Sequence, residues 1–133
     1  MAECDWAILC DYAFLDSNRK QCLIGAFDRI FSPNVPSILP RASVALKILG
    51  NPNEQVQFRL EIIRPAGTQL LSADGNALIA DSGTADVQFN LVNTSLPDHG
   101  VYSINIYVNG ELSKPVTFQV TPAVPTPPQS PQN

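Results

Sequence analysis

Charge is scarce in this chain. Of its 133 residues only 15% are Asp, Glu, Lys or Arg, and acids outnumber bases by 12 to 8, for a formal net charge of -4. No run of Lys and Arg offsets that balance, so the surface repels nucleic-acid phosphates and anionic membranes, and neither is an expected partner. Histidine occurs once, at His99, with no second imidazole and no paired nucleophile. A general base without a nucleophile makes no catalytic pair, so the chain is expected not to be an enzyme. The three cysteines, Cys4, Cys10 and Cys22, are odd in number and lack C-x-x-C spacing. They read as reduced, packed thiols. A long apolar run is missing as well: in MAECDWAILCDYAFLD, Glu3 and Asp5 stand where a secretory leader is basic, and Asp11 breaks the run short of membrane-span length. The expected location is the cytoplasm. No cofactor is implied by any motif.

What the sequence does have is alternation. Hydrophobic residues make up 44% of it, enough for one domain with its own core. From Val44 onward they recur at every second position, the period of a strand with one buried face. Ala42, Val44, Leu46 and Ile48 form one such set, and Val56, Phe58, Leu60 and Ile62 another. Val87, Phe89 and Leu91, then Tyr102, Ile104, Ile106 and Val108, then Val116, Phe118 and Val120 complete the series. Two earlier apolar runs, Trp6 to Leu15 and Gln21 to Phe31, flank the polar turn DSNRK and read as an opening hairpin. Trp6, Ile8, Cys10, Tyr12 and Phe14 would share one face, but Ala7, Leu9 and Ala13 are apolar too, which suits a central strand covered on both sides. SPNVPSILP, with its three prolines, predicts an extended crossing between sheets. Turns are expected at GNPN, RPAG, SADGN, DSGTAD, LPDHG and NGE. The expected fold is all-β: a two-sheet antiparallel β-sandwich, Ig-like, of about seven to eight strands. It should occupy residues 1–121. The tail 122–133 is rich in proline, with Pro122, Pro125, Pro128 and Pro131 in P-x-x-P spacing, and reads as a flexible spacer.

Two short stretches specify local structure. Asp98-x-Gly100-x-Tyr102 matches the tyrosine corner of Ig-like sandwiches, in which a tyrosine at a strand start bonds back to upstream backbone. Ile104 stands where an antibody-type domain carries its inter-sheet cysteine. His99 is expected at the solvated tip of that turn. Asn109-Gly110, between two alternating segments, predicts a two-residue hairpin turn of the primed type. Asp28 and Arg29 interrupt an apolar run, either on its wet side or strand end or as a buried or interfacial polar pair. Val101 and Tyr107 fall on a nominally wet face and hint at a contact patch. Asp74, Asp81 and Asp86 sit among Gly and Asn, where turn chemistry accounts for them, with calcium binding as the rival reading.

The early segment WAILCDYAFLDSNRKQCLIGAFDRIFSPNVPSILP, with the late GVYSINIYVNGE, resembles an uncharacterised bacterial β-sandwich family, a domain of unknown function. Its C-x-Y strand corresponds to Cys10 and Tyr12, and its G-x-F-D-x-I segment to Gly25, Phe27, Asp28 and Ile30. The resemblance covers about residues 5 to 120 and implies a bacterial, cytosolic sandwich with no activity or ligand attached. With no catalytic group and no basic surface, the expected function is a protein-binding or scaffold module that pairs with itself or another protein. The alternative is small-ligand or carbohydrate binding at the inter-strand loops, with calcium, His99 and the DGN and DSGTAD loops contributing.

Overall fold

The computed structural model describes residues 2–122; the tail beyond Pro122, with its P-x-x-P spacings, lies outside the described residues. These residues form nine strands: β1 (Glu3–Leu15), β2 (Gln21–Ala26), β3 (Arg29–Phe31), β4 (Ser37–Leu49), β5 (Gln55–Ile63), β6 (Gln69–Leu78), β7 (Thr84–Leu96), β8 (Gly100–Val108) and β9 (Glu111–Thr121). Among the described residues no helix is long and apolar enough to cross a membrane.

Four strands make one sheet in the order β2-β1-β4-β7, and five make the other in the order β3-β9-β8-β5-β6. By position, β1, β4 and β7 stand as the A, B and E strands of an immunoglobulin-like sandwich, and β9, β8 and β5 as its G, F and C strands. The fold is therefore the Ig-like β-sandwich that the alternation predicts. It has nine strands in place of seven to eight, and one pairing, β3 with β9, is parallel.

Three local departures account for the difference. SADGN is not a turn: β6 runs straight through it, and Gly75 lies opposite Phe58 in the register. A Cβ on Gly75 would stand 2.5 Å from two ring carbons of Phe58, so the glycine makes room for a ring. Second, Gln21 to Phe31 is not one strand. After Ala26 the chain leaves the first sheet, Phe27 N–H donates to the Leu9 carbonyl at 3.0 Å, and residues 29–31 join the other sheet beside β9. Gly25, at φ +72°, supplies a left-handed bend just before that switch. Third, SPNVPSILP is a crossing only as far as Pro36, since β4 begins at Ser37 and takes in Pro40. Proline offers no N–H there, and Asn93, which faces it in the register between Leu39↔Thr94 and Arg41↔Val92, has φ +48°. The ladder is broken locally at that point, which is where a proline fits.

β1 holds a further surprise. Cys4 pairs with Ile48 and Trp6 with Lys47, so Asp5 is an extra residue in a bulge. One added residue inverts the faces on either side of it. Cys4 points into the core before the bulge, and Leu9, with Ala7, does so after it. Trp6, Ile8, Cys10, Tyr12 and Phe14 do share a face, but it is the outer one. β1 is interior to its sheet, yet it is buried on both sides only at Leu9 and Cys10. The core fills the space between the sheets: Val44, Leu46 and Ile48 from one, Leu60, Ile62, Ile104, Ile106 and Val120 from the other. Phe58 and Phe89 meet edge to face across it, ring centroids 5.4 Å apart.

Candidate functional site

The turn from β7 into β8 is a clamped corner. Tyr102, buried at the start of β8, directs its hydroxyl at the backbone of Asp98: it accepts from Asp98 N–H at 2.9 Å and donates to Asp98 C=O at 3.0 Å. Burial pushes the Tyr102 phenol above its ordinary pKa, partly opposed by the Asp98 N–H. The Asp98 carboxylate receives both Arg64 Nε, at 2.8 Å, and Arg64 Nη2, at 3.2 Å. This two-pronged bond holds the carboxyl below the usual aspartate value. Gly100 has φ +128°, and a Cβ there would lie 3.0 Å from two side-chain carbons of Pro65. His99 is half-buried, with Nε2 2.8 Å from the Ser32 carbonyl oxygen. The expectation of a solvated imidazole is corrected here: the ring is held by the chain that follows β3. Arg64 and Ser32 thus tie the β5–β6 turn and the end of β3 to one corner, and Arg64 carried no sequence signal of that role.

The remaining residues are dispersed. Asn109 and Gly110 sit between β8 and β9 with φ of +50° and +85°, the backbone of a primed turn, and Asn109 Oδ1 accepts from Gln57 N–H at 3.0 Å. Asp28 and Arg29 are exposed at the switch between sheets, where the Asp28 carbonyl accepts from Gln119 N–H at 2.8 Å. They occupy the wet, strand-end position of the two weighed, not a buried pair. Val101 and Tyr107 face outward on β8 with Ser103 and Asn105 between them, so they make no single apolar patch. Asp74 lies on β6, Asp81 in the following turn, and Asp86 on β7 within 3.9 Å of Lys47 Nζ. Among the described residues no three His, Cys, Asp or Glu side chains gather as a metal site.

Two surfaces stand out instead. The first is the outer face of the β1–β2 hairpin. Tyr12 pairs with Ile24 and Phe14 with Cys22, and Tyr12, Phe14 and Ile24 are 46%, 43% and 54% exposed. From Trp6 to Phe14 on β1 and from Cys22 to Ala26 on β2 the outward residues are uncharged, with the exposed Glu3 and Asp5 beyond them at the start of β1. Arg41 and Lys47 of β4 border them: the Arg41 guanidinium carbon lies 4.6 Å from the Tyr12 ring centroid, and Lys47, paired with Asp86, faces Trp6.

The second is a groove of about 670 Å³ on the outer face of the five-stranded sheet. Strands β6, β5 and β8 put their outward residues in rows across it. Asp74, Arg59 and Tyr107 are cross-strand neighbours in one row, Asn76 faces Gln57 in the next, and Glu61 stands on the other side. Arg59 Nε lies 3.3 Å from a Glu61 carboxylate oxygen. The polar half of the β5 alternation signalled this face. The Asp-Gly-Asn of β6 was hidden because its composition reads as a turn.

Residues 5–121 match a family of unknown function, DUF6941. The chain belongs to that family. No curated protein matches it. Among solved structures, a Pseudomonas fluorescens alkylpurine DNA glycosylase, AlkC, bound to DNA containing an abasic site analog, shares the fold with a TM-score of 0.55 at 8% identity over 90% of this chain. The chain spans only 30% of that glycosylase. An immunoglobulin-like protein from Pseudomonas aeruginosa is also similar, with a TM-score of 0.47 and 11% identity, over 91% of this chain and 97% of that one.

Proposed function

We propose that this member of DUF6941 is a non-enzymatic binding module of the cytoplasm that associates with a second copy of itself through the β1–β2 hairpin. The observation that carries the reading is the uncharged outward face of Tyr12, Phe14, Ile24 and Cys22. Half-exposed aromatic and aliphatic side chains on one continuous face mark interaction surfaces, because water around them is released on contact. A face without charge selects against charged partners and fits a copy of itself about a two-fold axis. Tyr and Phe each bury on the order of 200 Å² when covered. Half of that per ring, with Ile24 and the rim, falls short of the roughly 800 Å² per partner of a standard interface, so the dimer should be weak, on the order of micromolar.

The reading without catalysis is supported by the commitment of the single imidazole to Ser32. Three cysteines in no disulfide, two of them buried, suit a reducing compartment. The DNA of the glycosylase complex belongs to that protein; a net charge of -4 argues against phosphate binding here. Sedimentation velocity from about 1 to about 300 μM tests the proposal, since a weak dimer gains mass across that range. Tyr12→Glu and Ile24→Glu should hold the protein at the mass of one chain without lowering its melting temperature. A wild-type protein that stays monomeric throughout refutes it.

A further inference from the structure

The geometry points to a second binding site, independent of the hairpin: the groove over β6, β5 and β8 takes a neutral oligosaccharide, stacked on Tyr107 and held by the planar side chains around it. A solvated face of an antiparallel sheet is expected to be polar, so polarity alone indicates nothing. Three further properties do. The surface is concave, and its 670 Å³ is within the range of small-molecule sites. Its polar groups are of the kind that recognise vicinal hydroxyls. Gln57 and Asn76 each offer a carbonyl acceptor and an amide donor in one plane, and the Asp74 carboxylate accepts two hydrogen bonds. Among the described residues, the side chains of Gln57, Asp74, Asn76 and Tyr107 are engaged in no hydrogen bond within the chain. Finally, the outward-facing aromatic residue of the groove is flanked by those groups: Tyr107 faces Arg59, which faces Asp74, so apolar ring and polar rows lie side by side.

Charge narrows the class. Among the described residues of the groove, Arg59 is the one cation against two carboxylates, Glu61, with which it pairs, and Asp74, so the groove is net negative. A negatively charged ligand, such as a uronic acid or a phosphorylated sugar, would meet that negative charge with no further cation among the described residues of the groove to balance it. A neutral sugar chain meets only donors and acceptors. The strand rows also set its direction, since cross-strand neighbours are about 4.8 Å apart and successive outward residues about 6.8 Å apart. A chain of rings lying across the strands passes over Tyr107 and Asp74 together.

The test uses the full chain, labelled with nitrogen-15, and three probes: maltotetraose, cellotetraose and tri-N-acetylchitotriose, each titrated to about 10 mM, which covers the weak end of carbohydrate affinities. At least one should shift the backbone amides of Arg59, Asp74 and Tyr107 in a saturable way and leave those of Tyr12 and Ile24 unmoved. Tyr107→Ala should weaken that binding at least about tenfold with an unchanged melting temperature. Should Tyr107→Ala fold poorly, Asn76→Ala, on the exposed edge strand, should weaken it several-fold. Titration with galacturonate trimers should show weaker binding than any neutral probe that binds. The inference is overturned if none of the three neutral probes shifts the groove amides, if the shifts persist in both variants, or if the acidic trimer binds better than the neutral ones.

Discussion

Tyr102→Phe removes one oxygen atom from the β7–β8 corner and leaves everything else in place. The ring itself should stay, since it stacks on Phe118 with centroids 5.0 Å apart and planes 9° from parallel, and phenylalanine preserves that contact. What is lost is a hydroxyl that is used twice, accepting from Asp98 N–H and donating to Asp98 C=O. Each such bond contributes about 0.5 to 1.5 kcal/mol net, and deleting only the tyrosine side leaves a backbone donor and acceptor unpaired in a partly buried turn. The expected loss is therefore about 1 to 3 kcal/mol, or a melting temperature lower by about 3 to 10 °C for a domain of this size. Urea denaturation measures it directly, and the slope should be unchanged while the midpoint falls, because the surface exposed on unfolding is the same. Tyr107→Phe is the control: its side chain lies on the outer face and makes no hydrogen bond among the described residues, so the change should stay within about 0.5 kcal/mol. If Tyr102→Phe costs no more than that control, the double hydrogen bond does not hold the corner and the reasoning fails.

The Asp98 carboxyl sits below its ordinary value because Arg64 donates to it, so this pair stabilises the fold above the unfolded pKa of about 4 and the contribution is lost as pH falls through the lowered folded value. Melting temperatures measured from neutral to strongly acidic pH should therefore fall more steeply below about pH 4 in the wild type than in Asp98→Asn, and added salt should narrow the difference. Burial, helped by the neighbouring Asp11, raises the Cys10 thiol above its ordinary value, and Cys4 is buried as well. A disulfide-exchange reagent should modify Cys22 in the native protein and all three cysteines only in denaturant; rapid native reaction at Cys10 would contradict its placement. Gly75→Ala puts a methyl group against the Phe58 ring, which is itself wedged on Phe89, and should cost about 1 to 3 kcal/mol by thermal melting.

Strands with one wet face were legible because each wrote its burial into a period of two. Val56 to Ile62 and Tyr102 to Val108 are buried at every second residue in the structure as in the sequence pattern. The signal failed where something other than burial decided the residue type. In β6, Asp74, Gly75 and Asn76 look like a turn, yet two of them face the groove and the third clears the Phe58 ring. In β1 the period is intact on both sides of Asp5, but the bulge inverts the faces, and no pattern within the strand announces an extra residue. The switch of sheets at Phe27 to Arg29 was hidden for a related reason: both halves of the run are apolar, and only pairing with β9 separates them. The corner could be read from Asp98, Gly100 and Tyr102, while Arg64 and Ser32 reach it from distant strands and could not.

The sandwich separates what holds it together from what it presents. Its stabilising groups lie between the sheets or at the β7–β8 corner, where Tyr102, Arg64 and His99 fasten separate segments to a single turn. The outer surfaces add to that set only local contacts, such as the Arg59–Glu61 pair and Arg41 against the Tyr12 ring. The hairpin leaves the sheet's protection after Cys10, and it exposes Tyr12, Phe14 and Ile24 at a cost, because each half-exposed ring or branched side chain forgoes burial worth about 1 kcal/mol. A domain with a full core has no need of that exposure for folding. On the other sheet, the side chains of Gln57, Asp74 and Asn76 likewise make no hydrogen bond among the described residues. Surfaces that do little for the fold, on opposite sheets and of opposite chemistry, are what two unrelated binding events would require, and the closed core between them would leave each free to act without disturbing the other.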